Sequence, residues 1–270
     1  MKAFPRDIEP MTLKERHVGI ESELFVLNGV PQEGCSCGCE SAISQVIPEE
    51  VDKELKKRGL LQNIGYDGGG REFRTNPISI KSILKQKRGL AYLTAYYAVL
   101  KANTKVVEAG GTHIHISVLD SDHENLEINA YAMAAAFYEQ FQKVAGRKTH
   151  WAYRPGFGET IDDCRTYCNA RKDRSGRRMY SMKGAILAPT YHKTLEFRGP
   201  VGSNDITDIL AWVEFLNNVV TAVNREDING ITFKSLLEGK YISEYVKGLK
   251  GWRKLTRKDL NKTINTKKLV

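Results

Sequence analysis

The spacing of apolar residues along this chain is typical of strands in some segments and of helices in others. Alternation of apolar and polar side chains predicts strands at four places: 17–27, 71–76, 112–119 and 194–198. Spacing of three to four residues predicts helices at three longer stretches: 79–108, 124–145 and 204–224. From these elements we expect an α+β fold, a largely antiparallel sheet with helices packed on one face.

Three of the predicted strands carry an unusual set of polar residues. Residues two apart on a strand point to the same side of the sheet. Three such pairs are present: Glu21 with Glu23, His113 with His115, and Glu196 with Arg198. A solvated strand face needs no function, but it usually mixes Thr, Ser, Lys and Gln rather than these residue types. Neighbouring carboxylates repel each other unless a cation lies between them, so this face predicts a site for Mg²⁺ or Mn²⁺.

A glycine-rich turn, Asp67-Gly68-Gly69-Gly70, leads into the predicted strand at 71–76. Glycines let backbone amides approach a ligand closely. Glu72 and Arg74 share one face of the strand, and Asp67 with Glu72 could complete a second cation site. A plain hairpin turn explains such a glycine run equally well.

These segments resemble, in chain order, motifs of the glutamine synthetase superfamily. The motifs are Gly19-Ile-Glu-Ser-Glu, Gly111-Thr-His-Ile-His-Ile-Ser and Thr194-Leu-Glu-Phe-Arg-Gly-Pro. The resemblance is to the amidoligase family in particular, compact ATP-dependent carboxylate–amine ligases often found in bacteria and their phages. It covers residues 17 to about 225, with Asp67-Gly68-Gly69 where the family usually has Asp-Gly-Ser.

The resemblance implies a glutamine synthetase-like catalytic sheet whose open polar face forms the active site. It implies that two or more Mg²⁺ or Mn²⁺ ions are held by Glu21, Glu23, Glu72, His113 and Glu196. ATP and its transferred phosphoryl group would be contacted by His115, Arg74, Arg178 and Arg198. The reaction would form an amide through an acyl phosphate, with Asp67 as the base that takes the proton of the amine.

Positive charge is concentrated in two segments. The net charge of the 270 residues is +9, yet residues 240–270 alone hold ten Lys or Arg against two acids, and residues 165–183 hold seven against one. Such clusters attract polyanions, so 171–178 and 240–270 are predicted contacts for a nucleic acid or another polyanion. A solvated surface is the plainer interpretation, above all for 240–270. We expect a single catalytic domain over 1–239 and a basic helical segment or tail over 240–270.

The cysteines and the apolar runs help to predict the cellular compartment of the protein. Cys35, Cys37 and Cys39 lack the usual Cys-x-x-Cys zinc spacing, so free thiols are favoured over a zinc site. The most apolar run, 131–138, is too short to cross a bilayer, and no apolar leader begins the chain. We therefore expect a cytoplasmic protein without a membrane contact.

Two other functions stay open on the sequence alone. His115-x-Ser117 and His192-x-Thr194 fit the motif of two-histidine phosphoesterases, which need no metal and would leave the glutamates without a role. The second alternative is a non-catalytic protein that binds nucleic acid or a virion through its basic segments. The complete set of ligand-type residues favours the ligase.

Overall fold

The structure, a computed structural model, describes the following residues: 14–27, 30–32, 44–46, 53, 63–67, 70–106, 110–145, 152, 154–156, 158–170, 185–190, 193–247 and 255–269. The chain divides into two compact units. The first unit comprises Met1–Ile114 and Val201–Ile209, and the second comprises His115–Pro200 and Leu210–Val270.

Strands and helices alternate irregularly along the chain. The described strands are β1 (His17–Val26), β2 (Val30–Gln32), β3 (Ser44–Val46), β4 (Asn63–Asp67), β5 (Gly70–Arg74), β6 (Ile78–Ser79), β7 (Thr104–Lys105), β8 (Thr112–Ser117), β9 (Leu187–Pro189) and β10 (Thr194–Phe197). The described helices are α1 (Ile80–Leu84), α2 (Arg88–Asn103), α3 (Leu126–Ala136), α4 (Tyr138–Ala145), α5 (Ile161–Ala170), α6 (Ile206–Val223), α7 (Lys240–Lys247) and α8 (Arg257–Leu260), with a 3₁₀ helix at Phe233–Leu237.

The first unit is built around β1. This strand pairs antiparallel with β5, β6 and β7, and β5 pairs antiparallel with β4. Alternation along β1 puts Ile20, Ser22 and Leu24 on the buried face. The hydroxyl of Ser22 is hydrogen-bonded there to the hydroxyl of Tyr97 on α2, at 2.9 Å, so the one polar side chain among them is satisfied. The predicted α+β class with a largely antiparallel sheet is confirmed.

The helix predicted at 79–108 is two helices, α1 and α2. Ser79 caps α1 by accepting a hydrogen bond from the Ser82 backbone N–H, and the chain turns at Gln86, whose φ is +56°. Gly89 then approaches β6 so closely that a Cβ would lie 2.9 Å from the side chain of Ile78. The break falls where three exposed polar residues, 85–87, offer no apolar side chain to the core.

The core of the second unit is aromatic. β10 pairs antiparallel with β9, and Leu195 and Phe197 of β10 are fully buried, as the alternation predicts. The Phe197 ring packs against Phe141 of α4 and against Trp212 and Phe215 of α6, with ring centroids 5.6 to 5.9 Å apart. Edge-to-face and tilted ring pairs of this kind hold β10 against the helices.

Helix α6 is the one helix in the described ranges that is long and apolar enough to cross a membrane by length and composition. Of its apolar window, 61 % is buried inside the protein, and Phe215 and Val220 are fully buried. The central helix of a folded core meets the same criterion, so α6 is weak evidence for a membrane span.

The last described residues, 255–269, are packed rather than frayed. Ile264 and Leu269 are buried, and the backbone N–H of Ile161 donates to the carbonyl of Thr266. Asp259 of α8 is buried too. It accepts hydrogen bonds from Lys143 at 2.7 Å and from Gln140 at 3.0 Å, and it forms a capping box with Thr256. The domain boundary predicted at residue 240 stays a prediction.

The pKa of Asp259 follows from these partners. Burial acts to raise the pKa, but the hydrogen bonds from Lys143, Thr256 and Gln140 outweigh it and hold the pKa of this carboxyl well below its usual value. A carboxyl whose folded pKa is depressed stabilises the fold above its unfolded pKa and loses that contribution as the pH falls.

We expect Asp259→Asn to lower the free energy of unfolding by about 2 kcal/mol at pH 7, because charge-assisted hydrogen bonds are lost. The contribution should be complete above about pH 4, the unfolded pKa, and fade below it, so wild type and variant should converge in acid. Urea denaturation from pH 7 to pH 3 measures this. The control is Asp162→Asn, since that side chain is 79 % exposed. Parallel acid profiles for wild type and Asp259→Asn would contradict the prediction.

Candidate functional site

Antiparallel pairing of β1 with β5 aligns the acidic residues of the first unit. In this register Glu21 lies opposite Arg74, and Glu23 lies opposite Glu72. Directly opposed like charges destabilise a strand pair unless a cation compensates them. His113 of β8 joins the same group of side chains. We call Glu21, Glu23, Glu72, Arg74 and His113 the glutamate cluster.

Within the glutamate cluster the imidazole of His113 lies between two carboxylates. Its Nδ1 is 3.5 Å from Oε2 of Glu21, and its Nε2 is 3.6 Å from Oε1 of Glu23. Glu23 is fixed further by Gly111, whose backbone N–H donates to Oε2 at 2.5 Å and whose carbonyl accepts from the Glu23 N–H at 2.9 Å. Both Glu23 and His113 are buried, so their orientation is set by these contacts rather than by solvent.

Arg74 compensates the other two carboxylates. Its Nε and Nη2 donate to the two oxygens of Glu72 at 3.1 and 2.9 Å, and its Nε lies 3.3 Å from Oε1 of Glu21. The paired geometry with Glu72 is the strong form of an arginine–carboxylate contact. The structure places the guanidinium of Arg74 on Glu21 and Glu72, and the nucleotide contact that the resemblance implies for this residue stays a prediction.

The electrostatics of the glutamate cluster are dominated by burial. Burial raises the pKa of Glu72 to about 7, with a further rise from the hydrogen bond to Glu21, although Arg74 acts to lower it. Glu72 is therefore close to the midpoint of its titration at neutral pH. The side chain of Glu72 is 7 % exposed, while those of Glu21 and Arg74 are 25 % and 37 % exposed.

The donor chemistry of the glutamate cluster fits a hard divalent cation. Carboxylate oxygens are the ligands that Mg²⁺ and Mn²⁺ prefer, and one imidazole is compatible with Mn²⁺. As placed, the carboxylates are turned to Arg74 and His113, and within the described ranges no group of three or more His, Cys, Asp or Glu is arranged to hold a metal ion. The metal-ligand roles thus stay predictions.

The second unit holds a smaller polar group, which we call the Glu196 cluster. Oε1 of Glu196 accepts a hydrogen bond from Arg198 Nη1 at 2.5 Å and lies 3.8 Å from His115 Nε2. On its other side the His115 ring contacts Thr194, with Nδ1 3.3 Å from Oγ1, and Thr194 is hydrogen-bonded to Thr190 at 2.8 Å. These contacts orient both the imidazole and the guanidinium.

The contact of Thr194 with His115, and its hydrogen bond to Thr190, were not predicted from the sequence. A signal was present for Thr194, since it lies two residues before Glu196 on the same predicted strand and hence on the same face. Thr190 precedes the strand and carries no such signal.

Several predicted residues lie outside what the structure describes. Arg178, His192 and the cysteines at 35, 37 and 39 lie outside the described residues, as does the basic segment 171–178. For Asp67 the backbone is described, as the β4 residue opposite Gly70, but not the side chain. Their predicted roles stay predictions.

No protein-family model matches the chain, and no curated protein matches it. Among solved structures, the chain is similar to the glutamine synthetase of Plasmodium falciparum, with a TM-score of 0.41 and 10 % identity over 78 % of this chain and 51 % of that one. It is also similar to the structure of the prokaryotic ubiquitin-like protein Pup with its ligase PafA, with a TM-score of 0.30 and 12 % identity over 94 % of this chain and 53 % of that one. This chain therefore spans about half the length of each.

Proposed function

We propose that this protein is an ATP-dependent carboxylate–amine ligase that forms an amide bond. The observation that carries the proposal is the glutamate cluster: three carboxylates from β1 and β5, aligned by the strand register, with His113 between two of them. The same residues lie in the motifs that resemble the amidoligase family. A protein that only needed a polar surface would not bury carboxylates opposite each other at this energetic cost.

The reaction explains why such a cluster would be useful. An acceptor carboxylate must approach the γ-phosphate of ATP although both are anions, and two or more Mg²⁺ or Mn²⁺ ions supply the compensating charge when bound. Glu21, Glu23, Glu72 and His113 would hold such ions, and Glu196 is proposed as a metal ligand because its motif resembles one of the family. Gly111 keeps the carboxylate of Glu23 in one orientation, which metal binding requires.

Arg198 is proposed to hold the transferred phosphoryl group. Glu196 fixes one end of its guanidinium, while its Nε is buried and has no hydrogen-bond partner among the described residues. A buried donor without a partner is costly, and a phosphoryl oxygen would satisfy it. His115, oriented by Thr194, is proposed to contact the nucleotide, and Arg178 to be a second contact for the anion.

The proposed chemistry has two steps. A carboxylate oxygen of the acceptor attacks the γ-phosphorus of ATP, the bond to the β-phosphate oxygen breaks, and ADP leaves. The amine nitrogen then attacks the carbonyl carbon of the acyl phosphate, phosphate leaves, and the amine proton passes to a carboxylate base, proposed to be Asp67. Basic segments 171–178 and 240–270 favour an acidic acceptor, such as a polyanion.

The proposal is tested by ADP release from ATP with Mg²⁺ or Mn²⁺ across pools of carboxylic acids and amines. Mass spectrometry of the active pool should find a product equal to one acid plus one amine minus water. EDTA should abolish both signals. Cleavage of cyclic phosphodiesters that survives EDTA, with no ADP release, would contradict the ligase and favour a two-histidine phosphoesterase.

A further inference from the structure

Arg74 occupies the position between carboxylates where a cation is needed. Both oxygens of Glu72 accept hydrogen bonds from its guanidinium, and Oε1 of Glu21 lies 3.3 Å from its Nε. The other oxygen of Glu21 faces His113 Nδ1 at 3.5 Å. A divalent ion at these oxygens would compete with the guanidinium for the negative charge of the carboxylates and for part of their lone pairs.

We infer that Arg74 is a resident counter-charge that competes with a divalent cation for Glu21 and Glu72 and thereby sets the affinity of the glutamate cluster for that cation. The inference rests on the proposed function, since it assumes that the cluster binds such ions. It assigns Arg74 a task other than the nucleotide contact that the sequence predicts.

The difference in exposure between the partners makes an exchange feasible. The side chain of Arg74 is 37 % exposed, while that of Glu72 is 7 % exposed. The guanidinium can therefore move out to water, where a charged group is well solvated, while the carboxylates stay in place. In the absence of metal, Arg74 prevents the repulsion that Glu72 and Glu21 would otherwise exert on each other.

The experiment measures Mn²⁺ binding to the full-length protein without nucleotide, by the loss of the free Mn²⁺ signal in electron paramagnetic resonance. Wild type is compared with Arg74→Gln, which removes the charge, and with Arg74→Lys, which keeps it. Arg88→Gln is the matched control, because it removes an arginine charge from an exposed position of the same unit. Circular dichroism and thermal unfolding show whether each variant is folded.

We expect Arg74→Gln to bind Mn²⁺ about tenfold more tightly than wild type, because the variant lacks a positive charge that repels the ion. Solvent screens part of this repulsion in wild type, which limits the gain in affinity. Arg74→Lys should fall between wild type and Arg74→Gln, because its ammonium keeps the charge but loses the two-point contact with Glu72, and Arg88→Gln should stay within about twofold of wild type. Equal affinity of wild type and Arg74→Gln, with measurable Mn²⁺ binding in both, would overturn the inference and leave the proposed cation site standing. No Mn²⁺ binding by any variant would contradict the cation site itself, and the inference with it.

A second measurement does not depend on the folding of Arg74→Gln. In wild type labelled with ¹⁵N-arginine, the Nε–H resonance of Arg74 is identified by its loss in Arg74→Lys. Addition of Mg²⁺ should shift this resonance as the guanidinium leaves Glu72 and Glu21. A resonance unmoved by Mg²⁺ at concentrations that saturate the site would overturn the inference.

Discussion

Replacement of Glu23 by glutamine is expected to reduce ATP-dependent amide formation by a factor on the order of 10³. The change keeps the size of the side chain and its acceptor for the Gly111 N–H, but removes the negative charge that would bind a divalent ion. Loss of one such ligand weakens the neutralisation of the phosphates at the moment of transfer.

The measurement for Glu23→Gln is the rate of ADP release with the active acid–amine pair, at saturating Mg²⁺ and ATP. Glu226→Gln, at an exposed turn of the chain, is the matched control and should behave as wild type. Circular dichroism should show that both variants are folded. Wild-type activity in folded Glu23→Gln would refute the role of the glutamate cluster.

Removal of the guanidinium of Arg198 is the second change with a large expected effect. Arg198→Met should lower kcat by about 10³-fold or more, the range seen when an arginine that stabilises a transferring phosphoryl group is lost. Arg198→Lys should recover only part of the rate, because an ammonium keeps the charge but not the planar fork that Glu196 orients.

The kinetics separate this role from simple binding of ATP. If Arg198 acts on the migrating phosphoryl group, kcat should fall much more than KM for ATP rises. Arg225→Met, which removes an exposed arginine from the same unit, should change neither constant. A pure rise in KM for Arg198→Met would assign the residue to ground-state binding instead.

Much of the fold could be predicted because alternation along β1, β8 and β10 is strong. The same alternation placed Glu21 with Glu23 and Glu196 with Arg198 on shared faces. Pairing of Glu23 with Glu72 could not be predicted, since the register between β1 and β5 depends on how the chain folds between them, which residue spacing does not reveal. The carboxylates that pair with Arg74 could not be predicted for the same reason. The sequence shows that Arg74 is positively charged, but not which acidic residues lie beside it in the fold.

Shorter elements escaped prediction for other reasons. β9 has three residues, all buried, and so shows no alternation between polar and apolar positions. Helix α5 has two acids and one arginine among its ten residues, and only a weak helix-like spacing of apolar positions. Thr160 and Asp163 hydrogen-bond each other at its start, and this Thr-x-x-Asp spacing is the signal in the sequence that marks where the helix begins.

Anomalous diffraction from crystals grown with Mn²⁺ and a non-hydrolysable ATP analogue would test the central claim most directly. The account predicts Mn²⁺ within about 2.5 Å of carboxylate oxygens of Glu21, Glu23 and Glu72, with the guanidinium of Arg74 withdrawn from at least one of them. Mn²⁺ bound only elsewhere on the protein, with Arg74 still paired to Glu72 and Glu21, would contradict it.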